Sequence, residues 1–268
     1  MDGQDRSAIA TPIRSPFTSR SFSSPSKAPH GSHRVKASTL LASWPNAPVD
    51  RERCILDAYL EGYAFPWPRL AVTSGDITFF AASNYFAFGE PDDLAFMPMS
   101  PVTAQRIADK ATDVMLPTKK MVDLIWQASV VKVEPEAWGP PYDASMLSTE
   151  RFIKHSERAV RSLAKVTPLW QTKLCAGLKK DVVLTNRLDA KHVAIYGWHK
   201  LDGVPIQGLN YKSHEASYAD YSHGIRFIQR QALLKDIPVD LATLLSDPAT
   251  ASLLSTEGPL HVLRQPGV

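Results

Sequence analysis

Apolar and polar positions along the chain change period several times, and each change marks an element. Over residues 51–63, Ile55, Leu56, Tyr59 and Leu60 recur at helical spacing and predict a helix. Gly62 and the Phe65-Pro66-Trp67-Pro68 run end it. Alternating β-type runs follow at 70–73, 77–82, 85–88 and 94–97, with Gly75-Asp76, Ser83-Asn84 and Pro91-Asp92-Asp93 as turn signals, so the pattern predicts an antiparallel meander.

The helical period then returns. Ser100 is a cap and Pro101 suits the first helical position, where its missing N–H costs nothing; Val102, Ile107, Ala108 and Ala111 form the apolar side. After Leu116-Pro117, Thr118 caps a second helix carrying Met121, Leu124, Ile125 and Ala128. A Pro/Gly-rich crossing over 135–142 reads as a surface loop or as a subdomain break near 135–145. A third helix spans 148–165, with Phe152, Ile153, Ala159, Val160 and Leu163 on one face. Its Arg151, Lys154, Glu157, Arg158 and Arg161 read as a solvated face, and His155 as a helix-surface residue. Strands at 181–185, 192–198, 204–209 and 225–230 and a closing helix at 239–245 complete the pattern. Strands and helices are grouped and do not alternate as βαβ units. The expected class is α+β, a mixed or antiparallel sheet with several packed helices, in one globular domain over 45–268.

Composition adds a tail to this picture. Residues 1–44 hold ten serines and four prolines with few apolar residues, a composition that cannot bury enough surface to offset ordering, so a disordered N-terminal tail is expected there. The tail also holds six basic against two acidic residues, a net of +4 out of +3 for the whole chain, which leaves the body at −1. A nucleic-acid-binding body would carry its own basic face, so nucleic acid is not an expected partner. No run approaches the ~18 apolar residues of a membrane helix, and the polar start of the sequence has no secretory pattern. Two cysteines, Cys54 and Cys175, are too few for a disulfide framework and read as two buried thiols.

Short nucleotide-binding and hydrolase signatures are missing, including the P-loop, G-x-G-x-x-G, H-E-x-x-H and G-x-S-x-G patterns. The candidate chemistry concentrates instead in one polar stretch, 199–226, which holds three of the eight histidines. In a metal reading, His199, His214 and His223 are ligands and Asp220 is a fourth ligand or an orienting group. Three protein ligands and an open position suit a divalent metal such as zinc. In a metal-free reading a His such as His223 is a general base, Asp220 orients an imidazole, Ser222 or Tyr221 is a nucleophile or proton donor, Arg226 is a clamp for an anionic group, and Tyr218 is a further candidate catalytic residue. Either way the expected activity is hydrolase-like, on a small or polymeric polar substrate, anionic where Arg226 pairs with it. The alternative is a non-catalytic binding or structural domain, in which residues 196–226 are a hydrogen-bonded polar loop with Gly224 at positive φ.

Ser222-His223-Gly224-Ile225-Arg226 resembles the S-H-G-C-[IV]-R active-site signature of L,D-transpeptidases, which cross-link cell walls. Tyr196-Gly197-Trp198-His199 is similar to that family's upstream His-Gly after a strand. The resemblance implies a β-rich catalytic domain and a secreted cell-wall factor. It departs from the family at the nucleophile: no Cys stands between Gly224 and Ile225, and the two capped helices upstream do not read like the family's β-rich domain.

Overall fold

The structure is a computed structural model and describes residues 35–268. The tail expectation for residues 1–34 lies outside the described residues. For 35–44 it is corrected: helix α1 (Ala37–Leu41) forms there and buries Ala37 and Leu41 in the core. The apolar Ala-x-x-x-Leu spacing puts both residues on one face.

The chain continues through α2 (Pro48–Leu60), β1 (Arg69–Ser74), β2 (Ile77–Ala82), β3 (Ala87–Glu90), β4 (Asp93–Phe96), α3 (Pro101–Ala111), β5 (Val114–Met115), α4 (Lys119–Ala128) and β6 (Val131–Lys132). After the Pro/Gly-rich crossing come α5 (Thr149–Val166), β7 (Cys175–Ala176), β8 (Lys180–Val182), β9 (Ile195–His199), β10 (Pro205–Asn210), β11 (His223–Gly224), β12 (Ile228–Gln229), β13 (Gln231–Leu234), β14 (Ile237–Asp240) and α6 (Leu241–Ser246). This is the α+β arrangement read from the sequence, with antiparallel and mixed sheets.

The helix starts follow from their caps. Ser100, Thr118 and Ser148 each accept from the backbone N–H three residues on, at 3.2, 3.2 and 3.1 Å. The expected closing helix starts later than predicted, because residues 237–240 pair with β13 and Asp240 ends the strand and caps α6 through Ala242 N–H at 2.8 Å.

The meander expectation is corrected. β1 and β2 form one antiparallel hairpin and β3 and β4 another, in separate sheets. Asn84 does not turn the chain back; its side-chain oxygen accepts from Tyr85 N–H, and the following backbone bonds to Ile225 instead of β2. The free edge of β2 pairs with β12 and β13, which lie end to end along it. One apolar cluster draws residues from both sides of the crossing, from Ala37 to Leu260. A second lies under α5, around Phe96, Leu163, Trp170 and Cys175.

The small sheet β10-β9-β8-β11 builds the candidate site. β8 runs antiparallel to β9 and parallel to β11, so that His223 lies beside Lys180 and Gly224 beside Asp181. The backbone bond from Lys180 N–H to Ser222 C=O, 2.8 Å, locks that register.

Candidate functional site

On one face of the small sheet opens a cleft of about 500 Å³, within the range of small-molecule sites. Its floor holds Lys180, His214, Tyr218, Asp220 and Ser222. Trp138, Tyr142, Trp198 and Tyr221 supply aromatic walls.

Asp220 organises the floor. Its Oδ1 accepts from Ser222 N–H at 2.7 Å and Ser222 Oγ–H at 2.5 Å, and its Oδ2 from the Tyr218 hydroxyl at 3.1 Å. Burial alone would raise this carboxyl. The adjacent His223 ring, the charge of Lys180 and the bond from Ser222 outweigh burial and hold it well below the usual carboxylate range. Burial, and then the Asp220 charge, push the Tyr218 phenol well above its usual range, so it remains a hydroxyl donor.

His214 stacks flat on Tyr218, rings 4.1 Å apart and 5° from parallel. Burial first, then His223 and Lys180, lower its pKa against the opposing pull of Asp220, so the ring is neutral near pH 7. Among the described residues its ring nitrogens have no hydrogen-bond partner, and the Lys180 ammonium has no carboxylate within ion-pair distance. Lys180 instead lies 5.5 Å from the Trp198 ring centroid. The cleft therefore offers a neutral imidazole without a hydrogen-bond partner and a cation without a direct ion pair among the described residues.

The crossing forms one wall. Glu136 accepts from Arg158 Nε at 2.9 Å and also pairs with Ser162. The guanidiniums of Arg151 and Arg158 lie 4.5 and 4.9 Å from the Trp138 ring centroid. Trp138 N–H donates to the Tyr221 hydroxyl at 2.7 Å. The basic face of α5, expected to be solvated, thus partly serves to hold this strap, and the segment read as a loop or a break lines the cleft.

The histidines do not converge, which corrects the metal reading. His199 hydrogen-bonds through Nε2 to Asp123 on α4 at 3.0 Å and stacks near Trp126, away from the cleft floor. His214 and His223 meet edge to face at 6.3 Å. No cluster of three or more His, Cys, Asp or Glu with metal-binding geometry exists among the described residues.

His223 and Arg226 take other places than the metal-free reading assigned. His223 is 0% exposed, and its Nδ1 accepts from Asp220 N–H at 2.9 Å, with Asp220 Oδ1 at 3.3 Å. Ser222 Oγ donates to Asp220 and to no histidine, so the nucleophile–base pair of a Ser–His mechanism is not formed. Arg226 is 1% exposed and faces away from the cleft; it donates to the carbonyls of Ala82 and Cys175, both at 2.8 Å. Gly224 is needed for packing, not for positive φ: a Cβ there would meet Lys179 Cβ and Tyr85 Cδ1 at 2.5 Å. The cysteines supply no substitute thiolate. Cys175 is buried, its thiol contacts the carbonyls of Trp170 and Lys173, and burial pushes it up to about 12; Cys54 is half-buried instead of buried.

Behind the floor lies a smaller chamber lined by Tyr85, Trp126, Lys179, Asp181, His199 and Arg226, among others. Trp198 lines both spaces. It sits at φ 55 after Gly197 at φ 100, a left-handed pair inside β9 that a bulky residue adopts only when its surroundings hold it. Lys179 Nζ bonds the Tyr221 carbonyl at 2.5 Å and His155 Nδ1 at 3.0 Å, so both are buried, which corrects the reading of His155 as a helix-surface residue. Burial is the main cause that lowers Lys179 to about 7, against the charge of Asp220. Burial likewise pushes Asp181 up to about 6, against the charge of Arg226 and the hydrogen bond from Tyr85.

Sequence reasoning singled out Asp220, Ser222, Tyr218 and His214, which do share the cleft floor, but missed Lys180, Trp138 and Trp198. The signal for Lys180 was the run Lys179-Lys180-Asp181 directly before the apolar Val182-Val183-Leu184, where a strand has to place each charge on one face or the other. Against protein-family models, curated proteins and solved structures alike, the chain finds no match.

Proposed function

We propose that the cleft is the site of a hydrolase-like enzyme acting on a polar substrate that carries an anionic group. The observation that supports this reading is the pairing, in one cleft, of a neutral His214 with unengaged ring nitrogens and a Lys180 ammonium that makes no direct ion pair among the described residues. Lys180 would hold the anionic group, the role first given to Arg226. His214 would take a proton from water as the oxygen attacks the scissile carbonyl or similar centre, then return it to the leaving group. Tyr218, stacked on His214 and donating to ionised Asp220, fixes the imidazole plane.

A non-catalytic binding site is favoured by a different observation: Asp220, Ser222 and Tyr218 already satisfy one another, which makes a rigid floor. The two readings separate in one assay. A panel of p-nitrophenyl esters and carboxylate-bearing amides is offered to the protein and to His214→Gln. The enzyme reading expects turnover that falls by about 10²-fold or more in the variant. Equal turnover in both proteins, or ligand-dependent tryptophan fluorescence with no turnover of any substrate, overturns it.

A further inference from the structure

The small chamber beside Trp198 carries an inference independent of what the cleft does. We infer that it is a second binding site, built for one water molecule that bridges Asp181 and Arg226, with Trp198 shared between this space and the cleft.

Four buried polar atoms without a hydrogen-bond partner among the described residues belong to residues lining this one space: Asp181 Oδ1, Arg226 Nε, Trp126 Nε1 and Trp198 Nε1. Asp181, Arg226 and Trp198 are each more than nine-tenths buried. Buried polar groups are rarely left unpaired, since each costs about 1–3 kcal/mol, so four around one chamber point to an occupant. The chamber's free volume, about 10 Å³, is the room that one water-sized body requires.

The set of groups selects the occupant. Arg226 Nε and Asp181 Oδ1 stand 3.8 Å apart, too far for a direct hydrogen bond and close enough for one molecule to reach both. Three of the orphaned atoms are N–H donors and one is a carboxylate oxygen. The occupant must accept from N–H and also donate to oxygen. A halide accepts but cannot donate, and it would face the Asp181 carboxylate, which is largely ionised above its pKa of about 6. A cation donates or coordinates but cannot accept from N–H groups. Water does both. The neighbouring charged and titratable groups do not alter this choice: Lys179 is committed to His155 and the Tyr221 carbonyl, His199 to Asp123, and Tyr85 donates its hydroxyl to Asp181 Oδ2 at 2.8 Å.

The test is a crystal structure of the full chain at pH 7.5, at a resolution that shows ordered water, with a bromide soak and water-oxygen relaxation dispersion on the same protein. The expected result is one density peak at hydrogen-bond distance from both Asp181 Oδ1 and Arg226 Nε, with no anomalous signal, and a matching long-lived water in solution. Trp198→Phe keeps the wall but removes one donor; the residence time of that water should fall about fivefold, as for one lost hydrogen bond. Arg226 bonded directly to Asp181 with nothing between them overturns the inference. So does a bromide peak in the chamber, or an unchanged residence time in Trp198→Phe.

Discussion

The two faces of β8 make opposite use of the same chemistry. Lys179 and Asp181 line the small chamber, where burial moves both away from their usual ionisation and backbone carbonyls or side chains use up most of their bonds. Lys180, between them in sequence, faces the open cleft, where it acts on Asp220 through space and makes no direct ion pair among the described residues. The chamber face spends its charges on holding β8, β11 and the strap together. The cleft face leaves a charge and an imidazole for something else. Charge density in the sequence was therefore a poor guide to the site: the more heavily charged side is structural.

This contrast can be broken most forcefully at Arg226. Arg226→Met leaves the Ala82 and Cys175 carbonyls unpaired and the Asp181 carboxylate buried without its cation. A loss of about 3–5 kcal/mol in chemical denaturation is expected. A loss below about 1 kcal/mol would mean that Arg226 is not a tie of the chamber.

The pH dependence of stability sharpens the same contrast. Lys179 titrates at about 7 in the folded chain against an ordinary 10.5. Between those values the unfolded chain holds a proton that the folded one lacks, so this residue makes stability rise with pH there. Asp181 titrates at about 6 against 3.8, and between those values the folded chain holds the extra proton, so its contribution falls as pH rises. Each slope has a ceiling of about 1.4 kcal/mol per pH unit. Difference profiles from denaturation should lose the rise in Lys179→Met and the fall in Asp181→Asn. Profiles parallel to the unsubstituted protein would place these groups in water.

The smallest stability effect belongs to the cleft face. Lys180→Met should change stability by no more than about 0.5 kcal/mol, while weakening any anionic ligand found in the substrate panel at least tenfold. A large stability loss there would erase the distinction between the two faces.

How much of this was legible depends on whether the signal was local. The helices at Ser100, Thr118 and Ser148 were readable because cap and apolar stripe lie within one stretch of chain. The β2–β12–β13 pairing was not, since the partners lie about 150 residues apart and nothing in either strand names the other. The same limit governed the site. Asp220, Ser222 and Tyr218 were found because they meet within one short run of chain, 218–222. The three histidines shared a window but not a point, because His199 belongs to β9 and turns toward α4, whereas His223 is carried by β11 under the cleft floor. Trp138 reaches the cleft from a crossing whose composition reads only as loop, and its place depends on arginines of α5 that look solvated in the sequence.

β8 is only three residues long, yet it is gripped on both edges, by β9 on one side and β11 on the other. A strand pinned from two sides cannot slide to hide a changed side chain, so each of its positions keeps its facing whatever residue occupies it. Position 180 is then free to vary alone. A substitution at this one site would therefore change the charge presented to the cleft, while positions 179 and 181 stay fixed by the scaffold they hold.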